Sequence, residues 1–171
     1  ADGTYDRVMN IAMEKFFSEE PYKSYQNMFN VYSVKAVSQN EVYANGTQTK
    51  FSGYFGERTE VGGNDSIVFS YAQKAISAER MNEALIVVMM NSSKYAGTCY
   101  MYHPSTQTGD YGNGPSISYF PVGTDETELA QILLHEAGGH GFAKLGDEYA
   151  LEEYGTVPTD YVTQIKEQQT S

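Results

Sequence analysis

Apolar residues recur at helical spacing over residues 6–17, at Val8, Met9, Ala12, Met13 and Phe16, and the polar stretch 18–20 before Pro21 predicts the end of that helix. Residues 22–29 suit a second helix. Residues 30–38 alternate Val31, Ser33, Lys35 and Val37 against Tyr32, Val34 and Ala36, the period of a strand. The polar, glycine-bearing stretch 45–64 reads as loop, and residues 65–81 read as helix beyond it. The continuous run Leu85-Ile86-Val87-Val88-Met89 predicts a central strand covered on both faces. Residues 96–102 and 116–120 read as two more strands, joined by the turn-rich stretch 105–115.

A last helix follows. Thr124 or Asp125 is placed to cap it, acidic residues occupy its first turn, and Leu129, Ile132, Leu133 and Ala137 form its inward face. Near its end stands His135-Glu136-Ala137-Gly138-Gly139-His140, which holds two of the three histidines in the chain. Two imidazoles around a glutamate are the parts of a His-Glu-x-x-His zinc site, but these histidines are five residues apart rather than four. A regular helix rotates residues five apart by about 140°, so one shared ion requires a locally widened, π-type turn or a helix end between the rings. Gly138 and Gly139 permit that, at about 1 kcal/mol each relative to alanine in a helix interior. The competing reading makes His140 an ordinary helix-terminal histidine and the glycines a stop signal.

The residues that follow favour the metal. A mononuclear catalytic zinc needs a third protein ligand, and Asp147 and Glu148 lie shortly downstream. In a continuous helix Asp147 would sit about 10 Å beyond His140 along the axis, out of reach of the same ion. The helix must therefore stop and the chain turn back, with Gly141 expected in a left-handed conformation and Gly146 at a second bend. Asp147 is the preferred ligand and Glu148 the runner-up, since successive residues of an extended segment face opposite ways.

Glu136 suits general base, then general acid, beside such a metal. Tyr149 is a candidate donor to the oxyanion, weighed against the commoner packed or surface role among 15 tyrosines. His103, the remaining imidazole, precedes Pro104 and reads as a loop histidine. Cys99 is the single cysteine, which excludes an internal disulfide and a multi-cysteine zinc site; its apolar, aromatic neighbours suggest a buried strand position.

Residues 135–149, HEAGGHGFAKLGDEY, resemble the active-site segment of the IgA-peptidase family of zinc metallopeptidases, in which a His-Glu…His motif precedes Phe, Leu and Asp-Glu-Tyr. Asp2-Gly3-Thr4-Tyr5, the stretch 17–32 ending Phe-Asn-Val-Tyr, and the Asn…Tyr-x-Gly stretch 91–98 resemble further parts of that family. The resemblance covers roughly residues 1–150 and is specific at the active-site segment. Many zinc peptidases differ in their four-residue spacing, whereas one dipeptidyl-peptidase family shares His-Glu-x-x-Gly-His.

The resemblance implies an α/β fold, a zincin-like mixed sheet with flanking helices and a C-terminal active-site helix. It implies a zinc-dependent endopeptidase acting on extracellular proteins, with immunoglobulin A near its hinge among the family's targets. His135, His140 and Asp147 would hold zinc, although such nitrogen and oxygen ligands also accept manganese or nickel. Either of the strands at 96–102 and 116–120 is an expected sheet edge for an extended substrate, with the earlier preferred. The alternatives are a noncatalytic extracellular binding module with a structural or vestigial metal site, and a metal-dependent amidase acting on a nonprotein substrate.

Composition narrows the remainder. The 171 residues suffice for one core, so a single catalytic domain over 1–171 is expected, and the resemblance implies a fragment of a longer chain. A net charge of -11 without a basic patch argues against nucleic-acid and anionic-membrane partners and leaves a protein or peptide substrate. No apolar run reaches the roughly 18 residues of a membrane span, and no signal peptide is evident. Abundant tyrosine, acidic charge and little lysine fit a secreted or cell-envelope protein, an expectation carried mainly by the resemblance. Nothing in the sequence specifies an oligomeric state.

Overall fold

The computed structural model describes residues 3–40, 43, 48–104 and 112–147. The run of apolar residues becomes strand β3 (Leu85–Met90), which pairs in parallel with β5 (Ser116–Pro121); β4 (Thr98–Met101) pairs antiparallel with the other side of β5. The sheet order is β3-β5-β4, so β5 is the central strand and β3 an outer one among the described residues, contrary to the sequence expectation. The apolar run does report two covered faces: Val88 and Met90 join one core, Leu85, Val87 and Met89 pack against the other. Covered faces do not fix lateral position. A second, antiparallel pair, β1 (Tyr54–Phe55) with β2 (Val61–Gly62), lies within the stretch expected to be loop.

Helix α1 (Thr4–Phe16) matches the first predicted helix. Residues 22–29 hold only the short 3₁₀ segment Gln26–Met28, and α2 (Asp65–Ala72) ends well before residue 81, with a separate 3₁₀ segment at Ala78–Glu83. Residues 30–38 form no ladder. They run beside α1, held by the Lys35 ammonium on Asp6 at 2.8 Å and by the Tyr5 hydroxyl donating to the Val34 carbonyl at 3.2 Å.

Helix α3 (Glu126–Leu133) starts where the sequence places it: Asp125 accepts from the backbone N–H groups of Thr127 and Glu128 at 2.8 and 3.0 Å. This satisfies two of the orphan donors of the first turn. Leu129, Ile132, Leu133 and Ala137 are all buried, against Phe120 of β5 and Ala12 and Phe16 of α1. On the opposite face of the sheet, Ile117 and Tyr119 of β5 pack with Val61, Val68, Phe69 and Met81. Alternation along β5 thus sends Ser116, Ser118 and Phe120 to the face covered by α1 and α3, and Ile117 and Tyr119 to the face covered by α2.

Candidate metal centre

Beyond Leu133 the helix widens: Leu134–Phe142 is a nine-residue π-helix. Its wider turn supplies what the five-residue spacing requires, and the Nε2 atoms of His135 and His140 lie 3.2 Å apart, with ring centroids at 4.6 Å. The ladder ends with the Ala143 N–H reaching the Gly138 carbonyl at 2.9 Å and the Leu145 N–H reaching Gly139 at 3.0 Å.

The chain then turns back, but not through the glycines expected to turn it. Lys144 is the residue with positive φ (56°), while Gly141 and Gly146 are not in the left-handed region. Gly141 serves another purpose. A β-carbon there would fall 2.5 Å from Leu85 Cδ1 and 3.1 Å from Ser116 Oγ, so its missing side chain lets the wide helix lie close on the sheet.

The return brings Asp147 Oδ1 to 3.3 Å from His135 Nε2 and 3.2 Å from His140 Nε2. Three potential ligand atoms therefore form a nearly equilateral triangle with edges of 3.2, 3.2 and 3.3 Å. A tetrahedral zinc with bonds of about 2.0–2.1 Å separates its ligand atoms by about 3.3–3.4 Å, so these donors fit that ion without rearrangement. The tautomers agree. His140 Nδ1 lies 2.6 Å from the Leu145 carbonyl, to which it donates, so that in the neutral ring the Nε2 lone pair faces the other two atoms. Burial and the neighbouring His140 hold His135 below the usual histidine range, against the opposing pull of Asp147, and so favour the neutral ring a metal needs.

Glu136 stands one step back. Its Oε1 is 4.0 Å from His135 Nε2, farther than Asp147, and its side chain is only 9% exposed. Glu136 also falls within the cluster of metal-type groups formed with the two histidines. Asp147 thus lies closer to both imidazoles than Glu136 does to His135, and its carboxylate completes the triangle while Glu136 stands outside it. Burial pushes the Glu136 carboxyl up to about 7, opposed by His140 and reinforced by Asp147. A carboxylate near neutrality is matched to accepting and returning a proton at physiological pH.

Other sequence candidates separate from this group. His103 is exposed in the segment after β4 and stands outside the cluster. Cys99 is a free thiol on β4, partly buried. Glu148 and Tyr149 lie outside the described residues. Sequence reasoning missed Gly97, whose β-carbon would lie 2.4 Å from Glu136 Oε1, and the Leu145 carbonyl that sets the His140 tautomer. It also missed Ser116 and Ser118, for which the signal was two hydroxyls on alternate positions of an otherwise apolar strand.

No curated protein and no solved structure gives a significant match to this chain. The wide histidine turn, the returning aspartate and the buried glutamate bring two imidazoles and two carboxylates together. A family model described as IgA Peptidase M64 matches residues 5–169, nearly the whole sequence, and the chain belongs to that peptidase family.

Proposed function

We propose that the chain is a zinc-dependent endopeptidase with a zincin-like arrangement, in which the helix formed by α3 and its π-helical continuation carries the active site. The observation that supports this most is the 3.2–3.3 Å triangle of His135, His140 and Asp147 with the buried Glu136 beside it. In this reading His135, His140 and Asp147 would hold zinc, whose contribution would be Lewis acidity toward a water and toward the scissile carbonyl.

Glu136 then acts as general base and acid. Its carboxylate accepts a proton from the attacking water and passes it to the departing amine, so the group ends in the state in which it began. Its burial keeps bulk water from competing for that proton. Tyr149, two residues past Asp147, is assigned to the oxyanion as a hydrogen-bond donor, and Tyr149→Phe would lower kcat with little change in KM. Strand β4, which ends the strand order of the sheet, is the proposed ledge for an extended peptide. Gly97, just before it, lets Glu136 lie directly against the backbone at the start of this strand.

The substrates in this reading are extracellular proteins, immunoglobulin-like ones included, and the protein is secreted or held in the cell envelope. Among the described residues no helix is long and apolar enough to cross a membrane. Fractionation of the producing cells tests the location.

Metal analysis of the purified protein, followed by a peptide-library screen with and without chelator, tests the activity. Bound zinc, chelator-sensitive cleavage and loss of cleavage in Glu136→Gln with metal retained are the expected results. Undiminished turnover in Glu136→Gln would remove Glu136 from the mechanism; metal without turnover on any peptide would favour a noncatalytic module.

A further inference from the structure

We infer that Ser116 and Ser118 are positioning residues that hold the helix in the wide register bringing His135 and His140 together. Resting on the proposed function, this identifies what keeps the candidate metal ligands in place. Among the described residues the buried polar or charged side chains are Ser116, Ser118 and Glu136, all three at this site. A hydroxyl buried in an apolar layer is costly unless it is hydrogen-bonded. Each serine meets that requirement in the same way. Ser116 Oγ donates to the Gly141 carbonyl at 2.9 Å, and Ser118 Oγ donates to the Glu136 carbonyl at 3.0 Å.

The two accepting carbonyls are five residues apart, the same offset as the histidines, and each belongs to the residue directly after a histidine. In a regular α-helix residues five apart are turned about 140° from one another, so both carbonyls could not face one strand. Only a wide turn lets a single strand take both. The serine pair thus discriminates between registers by geometry, and the register it selects is the one that aligns the imidazoles.

A third strand supports the clamp. Ser118 Oγ is 3.3 Å from Cys99 Sγ on β4, the residue opposite Ser118 in the antiparallel register. A serine has one proton, and with that proton on the Glu136 carbonyl the thiol proton completes the contact. Burial, the main cause, pushes the thiol up to about 11, so Cys99 keeps that proton at neutral pH.

The test compares the full chain with Ser116→Ala/Ser118→Ala, with each single variant, and with Ile117→Val, which trims the opposite face of the same strand. The metal-free proteins are examined by NMR for the cross-peak between the His135 and His140 rings, and all are titrated with cobalt(II) for its visible spectrum and affinity. The double variant should lose the ring cross-peak and bind cobalt roughly 10–100-fold more weakly, with Ile117→Val matching the unsubstituted chain in both. If the double variant does not fold, each single variant should show a partial loss of the same two signals. An unchanged cross-peak and cobalt spectrum in folded variants would overturn the inference. A cross-peak lost in the variants alongside a parent chain that binds no cobalt would support the clamp while removing the metal reading.

Discussion

Gly97 lies against Glu136 so closely that a β-carbon on Gly97 would fall 2.4 Å from Oε1 and 2.9 Å from Cδ and Cγ of that side chain. A methyl group there displaces the carboxylate rather than the backbone, because Oε1 is the far end of a flexible chain. The fold should tolerate the change. Catalysis should not, since a misplacement of about 1 Å costs roughly 100-fold. Gly97→Ala is therefore expected to retain bound metal and thermal midpoint while losing most of its kcat, as measured by steady-state peptide hydrolysis beside metal analysis.

Asp147 and Glu148 make opposite predictions. Asp147 touches both histidines at 3.2–3.3 Å, so Asp147→Ala removes the proposed third ligand and should weaken zinc binding by more than the roughly 10–100-fold cost of losing an outer partner. Glu148→Ala should retain the metal. Competition with a chromophoric chelator measures both, and the reverse ranking would make Glu148 the ligand.

The glycines of the wide helix should respond very differently to alanine. A β-carbon at Gly139 meets only the Leu134 carbonyl oxygen at 3.7 Å, an ordinary contact, so Gly139→Ala should raise stability by about 0.5–1 kcal/mol. At Gly141 the same atom meets Leu85 Cδ1 at 2.5 Å, and Gly141→Ala should cost about 1–3 kcal/mol by overpacking. Urea unfolding of the two variants checks the sign and the order.

Alkali should act through Asp65. The hydroxyls of Tyr102 and Tyr119 both donate to its carboxylate, the latter at 2.6 Å, and burial first and Asp65 second raise both phenols above the ordinary value near 10. The folded chain keeps these protons where the unfolded chain releases them. Their contribution is thus complete below about pH 10 and is lost as pH rises beyond it. Circular dichroism between pH 8 and 12 should show stability falling steeply above 10. Asp65→Ala should cost about 3 kcal/mol at neutral pH by removing two hydrogen bonds to a charged acceptor.

Much of this was readable in the chain before any coordinates. A cap at Thr124 or Asp125, the inward face of α3, a wide turn or helix end between the histidines, and a chain turning back with Asp147 or Glu148 all follow from helix geometry and residue type; the structure has the Asp125 cap, the wide turn and Asp147 beside the imidazoles. Other features were not readable because one residue type serves several physical ends. Gly141 looked like a dihedral device and is a packing device, while Lys144 takes the left-handed conformation. Residues 116–120 are one of two stretches expected at a sheet edge, with 96–102 preferred. The hydroxyls of Ser116 and Ser118 are spent on helix carbonyls, which only the tertiary arrangement reveals, and β5 is the one flanked on both sides.

All three proposed ligands come from a single thirteen-residue stretch, 135 to 147, rather than from distant parts of the chain. An ion bound there would act as a clasp across one short loop, fastening the end of a helix to the segment that leaves it. Such a clasp tightens with the supply of free metal, by about 2.7 kcal/mol at a hundredfold excess over Kd. Starvation for metal would consequently loosen this corner before the sheet beneath it, and expose Lys144 and its neighbours to proteases first.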